Sequence, residues 1–208
     1  MGTATSRPFG AAGALATALL GIALATGGCG AGASPAAHAT TKPDAAAAGP
    51  FPVLRPAPPP AGWRSATLPS GAVLAYPADW RAIAGDRGTA SAALRDAHGR
   101  FLGYLNLTPR QGGETLASWA TFRPAHNRAE GETQVVALGS ARGVRFRDGA
   151  RGSCVRDAYS TSTNGRFVEV ACLLSGPHAG SVIVAAAPPA QWARRWPILA
   201  RAIGAVRS

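Results

Sequence analysis

The chain has 208 residues, with 21 Lys or Arg against 10 Asp or Glu and a formal net charge of +11. Its length allows one folded domain with an arm. A single basic residue, Lys42, is a lysine and the rest are arginines; a GC-rich genome accounts for part of that excess as readily as function does. A surface this basic is drawn to anionic headgroups, wall polymers or nucleic acid. No nucleic-acid motif is present, so nucleic acid is not expected as a partner.

In chain order, the amino terminus and Arg7 are the only positive charges before an uncharged stretch, Pro8 to Gly28, whose bulk comes from Leu15, Leu19, Leu20, Ile22 and Leu24. This is the pattern of a secretory signal peptide over residues 1–28. The run Leu24-Ala25-Thr26-Gly27-Gly28-Cys29 resembles a bacterial lipobox, with Thr26 where a leucine is usual. The resemblance implies cleavage before Cys29 and acylation of its thiol by a diacylglyceryl or palmitate-type lipid. The expected location is then the extracytoplasmic face of the cell membrane, with two acyl chains sufficient for stable anchoring. Ordinary cleavage after Ala33 would give a soluble secreted form instead. An uncleaved membrane helix needs about 20 apolar residues, which this Gly- and Ala-diluted stretch barely reaches.

Residues 29–62 are rich in Ala, Gly, Pro, Ser and Thr and have no apolar periodicity. They read as a disordered, semi-rigid tether, with the domain over residues 63–208. Within it, 64–68 and 72–76 flank Pro69-Ser70-Gly71 as one hairpin, and 89–95 and 101–107 flank Asp96-Ala97-His98-Gly99 as another. A helix is expected over 114–123, stopping before Pro124. Val144-Arg145-Phe146-Arg147 alternates apolar and basic, giving a strand with one wet face. Two longer strands follow at 153–160 and 166–174, then an apolar strand at 181–187. Trp192, Trp196, Leu199 and Ile203 form the stripe of a C-terminal amphipathic helix, with a kink or fresh start expected at Pro197. Hairpins predominate, so the fold class is α+β: an antiparallel sheet of about six or seven strands with flanking helices.

Tyr76-Pro77-Ala78-Asp79-Trp80 and the closing Trp196–Ile203 stretch resemble signatures of the PsbP-like superfamily, which includes LpqN-type actinobacterial lipoproteins. That resemblance spans nearly all of 63–208 and implies the same α+β architecture. Members bind unrelated partners, so it implies no single activity, and no binding residue carries over.

With Cys29 assigned to lipid, Cys154 and Cys172 remain as an even pair in an oxidising compartment, and a disulfide is expected. A two-residue turn at Asn164-Gly165 would set Asp157 opposite Cys172 and leave Cys154 about 10 Å away along the strand, out of bonding range. A five-residue loop over 161–165 sets Cys154 directly opposite Cys172, so a longer loop or bulge is expected.

No nucleophile elbow, Ser-x-x-Lys pair or His-Glu-x-x-His motif occurs, and no catalytic residue, metal site or cofactor is expected. His98, His126 and His178 fall in turn-like, polar settings. Asp148, Asp157 and Glu169 are expected to pair with neighbouring arginines such as Arg147, Arg156 and Arg166. Arg142, Arg145, Arg147, Arg151 and Arg156 fall on adjacent strands as an anion-binding strip, the alternative being a solvated strand face. The expectation is a non-enzymatic binding or scaffolding module of the cell envelope, held to the membrane by lipid on Cys29. Its partner would be an envelope protein or an anionic wall or lipid component. An envelope hydrolase with an unrecognised site is the competing reading.

Overall fold

The computed structural model describes residues 51–163, 165–176 and 180–208. The signal peptide, Cys29 and the tether up to residue 50 lie outside these residues, as does His178. In chain order the elements are β1 (Arg64–Thr67), β2 (Val73–Tyr76), β3 (Arg81–Ile83), β4 (Ala90–Arg95), β5 (Phe101–Pro109), α1 (Trp119–Ala129), β6 (Thr133–Arg145), β7 (Arg151–Ser160), β8 (Arg166–Ser175), β9 (Ser181–Ala187) and α2 (Pro189–Ala205).

Seven strands make one antiparallel sheet in the order β3-β4-β5-β9-β8-β7-β6, and β1 and β2 form a separate hairpin. Because side chains alternate across a strand, the apolar central strands serve two cores. Leu105, Leu107, Val170, Cys172, Ile183 and Ala185 face one side, where α2 supplies Trp192, Leu199 and Ile203 and the β1–β2 hairpin supplies Leu74 and Tyr76. Val155, Ala171, Leu173, Val182 and Val184 face the other side, under Trp119 of α1. The fold is thus a sheet with one helix on each face.

The aromatic plug of the Tyr76–Trp80 motif is literal. Trp80 is 1% exposed, and its ring lies over Gly103, where an added Cβ would come within 2.7 Å of it. Helix α2 runs continuously through Pro197. Helix α1 also runs through its proline, Pro124, and so sits further along than the 114–123 expected. Contacts made by the helix face, described below, outweigh the missing donor. The segment just before Trp63 is packed: Phe51 and Leu54 lie against the α2-side core, and Ala57 N–H donates to Gly204 O at 3.1 Å. Gly204 is required there, since a Cβ would run into the Arg55 carbonyl.

Strands β7 and β8 pair Ser160 with Arg166 and Cys154 with Cys172, and Thr161 N–H donates to Gly165 O at 2.8 Å. The loop is the five-residue one, and the Cys154–Cys172 disulfide closes across it. Closing a loop of 18 residues contributes about 3 kcal/mol in the chain-entropy description.

Candidate functional site

Trp119, Arg123 and Asn127 are spaced four residues apart on α1, so they stack on one face of the helix. Each one grips the sheet. Trp119 Nε1 donates to Ala171 O at 2.9 Å. Arg123 makes a two-pronged contact with Glu169, Nε to Oε1 at 2.7 Å and Nη2 to Oε2 at 3.1 Å. Asn127 Nδ2 reaches Asp157 Oδ2 at 3.2 Å and Glu169 Oε1 at 3.4 Å.

Asp157 and Glu169 are direct cross-strand partners on β7 and β8, and both are 0% exposed. Two ionised carboxylates cannot share such a place. Burial and then the Glu169 charge push the Asp157 carboxyl up to about 9. Burial pushes Glu169 the same way, but the Arg123 charge and hydrogen bonds outweigh it and hold its carboxyl below the usual range. At neutral pH the cluster is therefore Arg123 cationic, Glu169 anionic and Asp157 protonated, with no net charge. Burial, followed by the Glu169 charge, also lifts the Tyr159 phenol well above its ordinary value.

Glu169, Asn127 and Tyr159 form part of the wall of a cavity of about 350 Å³ beside α1. His126 stands on its rim, ring centroid 5.7 Å from Phe122 and nearly parallel to it, with Nε2 3.1 Å from Glu130 Oε1. The wall's threonine hydroxyls donate to backbone carbonyls, Thr89 to Asp86 and Thr108 to Pro109. A second, more apolar hollow of about 730 Å³ adjoins it, sharing Tyr104 and Tyr159.

The carboxylate pairings differ from those expected. Glu169 takes Arg123, Asp157 takes Asn127, and Asp148 accepts from Ala150 N–H, Ser208 N–H and Ser208 Oγ. Neighbours along a strand such as Arg156 and Asp157 point to opposite faces, which rules out the local pairing. For the same reason Arg156 leaves the strip: it is 6% exposed on the α2 side, in line with Cys154. Arg142, Arg145 and Arg151 do share the α1 face. Arg145 is directly opposite Arg151, and Arg142 is opposite Ser153, while Arg147 sits in the turn between the strands; all four are exposed. Arg142 Nη2 donates to Ala117 O at 2.7 Å. Among the described residues none of these four forms an ion pair. His98 lies exposed in its hairpin turn. Among the described residues no group of three or more His, Cys, Asp or Glu is arranged to hold a metal ion.

The sequence reading missed Arg123 and Asn127. The available signal was Glu169 itself, a carboxylate inside the apolar run Val168–Leu174, which needs a buried partner.

No family model and no curated protein sequence matches the chain. Among solved structures, it is similar to the cyanobacterial PsbP (CyanoP) of Synechocystis, with a TM-score of 0.50, 15% identity, and coverage of 71% of this chain and 93% of that one. LpqN of Mycobacterium tuberculosis, described as involved in cell envelope biogenesis, gives 0.46 and 13% over 70% and 91%. The PA94 protein of Pseudomonas aeruginosa gives 0.47 and 12% over 70% and 96%. The fold is PsbP-like, and at such identities the likeness speaks for fold alone.

Proposed function

We propose that the chain is an extracytoplasmic lipoprotein, anchored through Cys29, whose domain is a non-enzymatic binding module for anionic material of the cell envelope. The observation that carries this is the end of the β6–β7 hairpin. Arg145 and Arg151 face each other across the strands, exposed and without a carboxylate partner among the described residues. Like charges directly opposite one another destabilise a strand pair. A phosphate or carboxylate bridging two guanidinium forks would remove that repulsion. No helix among the described residues is long and apolar enough to cross a membrane.

The hydrolase reading would draw on the buried Asp157–Glu169 pair. Glu169 is clamped by Arg123, and the threonine hydroxyls on the cavity wall point to carbonyls instead of to His126. A nucleophile activated by a base is not assembled there.

Two measurements test the proposal. Metabolic incorporation of a radioactive fatty acid should be lost in Cys29→Ala; incorporation that survives removes the anchor. Co-sedimentation with vesicles containing anionic phospholipid should fall steeply in Arg145→Glu/Arg151→Glu. Unchanged binding removes the arginine site.

A further inference from the structure

The acidic residues are distributed oddly for so basic a protein. Of the chain's 10 carboxylates, Asp86, Glu114, Glu130, Glu132 and Glu169 line the one cavity beside α1, where Arg123 carries the only guanidinium among the described residues and His126 pairs with Glu130. Arg123 is already neutralised by Glu169. Glu114 is tied to its own loop, accepting from Gln111 N–H at 2.9 Å. Glu132 is not tied down: its Oε2 is buried against this wall without a hydrogen-bond partner. Buried polar atoms without partners are uncommon and point to a missing donor.

The adjoining hollow supplies the opposite chemistry. Phe101, Leu102, Tyr104, Tyr159 and Phe167 line it, all half-buried on the part of the sheet that α1 leaves open. The two hollows meet at Tyr104 and Tyr159. Their sizes, about 350 and about 730 Å³, match a small-molecule site and not a protein interface.

We infer that this bipartite groove binds an organic cation with an apolar tail, the ammonium or guanidinium end beside Glu132 and Glu130 and the tail on the aromatic floor. An anion would meet several carboxylates and no free guanidinium. A neutral amphiphile would leave the Glu132 oxygen unpaired. A cation pairs with the Glu132 carboxylate.

The test uses the secreted chain, kept unlipidated as Cys29→Ser in detergent-free buffer, titrated with octylammonium, octanol and octanoate. Binding is followed through the NMR signals of the Asn106 and Asn127 side-chain amides and the Trp119 indole, all on the cavity wall. Octylammonium should shift them saturably, with octanol at least about tenfold weaker, a difference of about 1.4 kcal/mol, and octanoate without effect. Glu132→Gln should weaken octylammonium about tenfold while leaving octanol unchanged, and Phe167→Ala should weaken both. Glu132→Gln should keep the parent melting temperature, and Phe167→Ala should keep the parent circular dichroism spectrum at the titration temperature. Octanol or octanoate binding as tightly as octylammonium, or no saturable shift with any of the three, overturns the inference. Arg145→Glu/Arg151→Glu should leave these titrations unaltered, so failure here and failure of the basic site are separate results.

Discussion

Asp157 gives the most direct check on the physical picture. Its side chain is fully buried beside Glu169, and its carboxyl is pushed up to about 9, against about 3.9 in the unfolded chain. Between those values the folded protein holds a proton that the unfolded chain releases. The pH dependence of unfolding free energy follows the protons bound unfolded minus those bound folded, which is here negative. Stability from this group is therefore full below about pH 4 and declines as pH rises towards 9. The slope is about 1.4 kcal/mol per pH unit for one proton, so about 3 kcal/mol is lost from pH 6 to pH 8. For a domain of this size that lowers the melting temperature by roughly 6–12 °C. Glu169, held low by Arg123, titrates below this window and does not offset the loss. Urea unfolding at pH 6, 7 and 8 measures the slope directly. Asp157→Asn, which keeps a donor facing Glu169 but carries no titrating proton, should flatten it. A flat parent profile, or an unchanged slope in Asp157→Asn, would refute the proton-sharing pair.

Further outcomes follow from single contacts. Arg123→Met strands the Glu169 charge in a buried place and should cost about 3–5 kcal/mol, read as a lower urea midpoint, with Arg123→Met/Glu169→Met partly recovering it. Cys154→Ala/Cys172→Ala, or reduction of the parent, should cost about 3 kcal/mol, and mass analysis without reductant should show the parent two hydrogens lighter than its reduced form. Gly103→Ala drives a methyl into the Trp80 ring and should cost about 1–3 kcal/mol, with a shift in tryptophan fluorescence. Gly204→Ala should dislodge the passage around Arg55, so that thermolysin, which cuts before apolar residues such as Val53 and Leu54, attacks it faster while the core melts near the parent temperature.

The parts legible in the sequence were those governed by local arithmetic. The even pair left by Cys29 pointed to Cys154 and Cys172 as partners and so required the five-residue loop that sets them opposite, and alternation at Val144–Arg147 marked the wet face correctly. Strand β6 escaped notice over 133–143 because its pairing with β7 slips at three places, between Thr133 and Val136, Ala137 and Gly139, and Arg142 and Val144. Each slip breaks the period-two pattern that would have identified it. Helix α1 was displaced because Pro124 reads as a stop, yet Trp119, Arg123 and Asn127 fasten the helix to the sheet on either side of it. The site itself was invisible for a related reason. Arg123 and Glu169 lie 46 residues apart, and only the docking of a helix over the far strand brings them together.

The two surfaces share one organising element. Arg142 bonds Ala117 just before α1 begins, so the basic end of the β6–β7 hairpin lies at the helix N-terminus. Glu130 caps the other end, and Glu132 follows it. A helix carries partial positive charge at its N-terminus and negative charge at its C-terminus, so α1 strengthens both poles: anions are favoured at Arg142, Arg145 and Arg151, cations at Glu130 and Glu132. The poles differ in burial, and that sets how salt acts on them. The exposed arginines are screened at the Debye length, about 8 Å at physiological ionic strength, while Glu132, half-buried with one carboxylate oxygen out of solvent, is screened less. Raising salt from 0.05 M to 0.5 M should therefore release anionic vesicles well before it releases octylammonium. Equal sensitivity at both sites would mean that the carboxylates are as open to solvent as the arginines, and the recessed-cation assignment would fail.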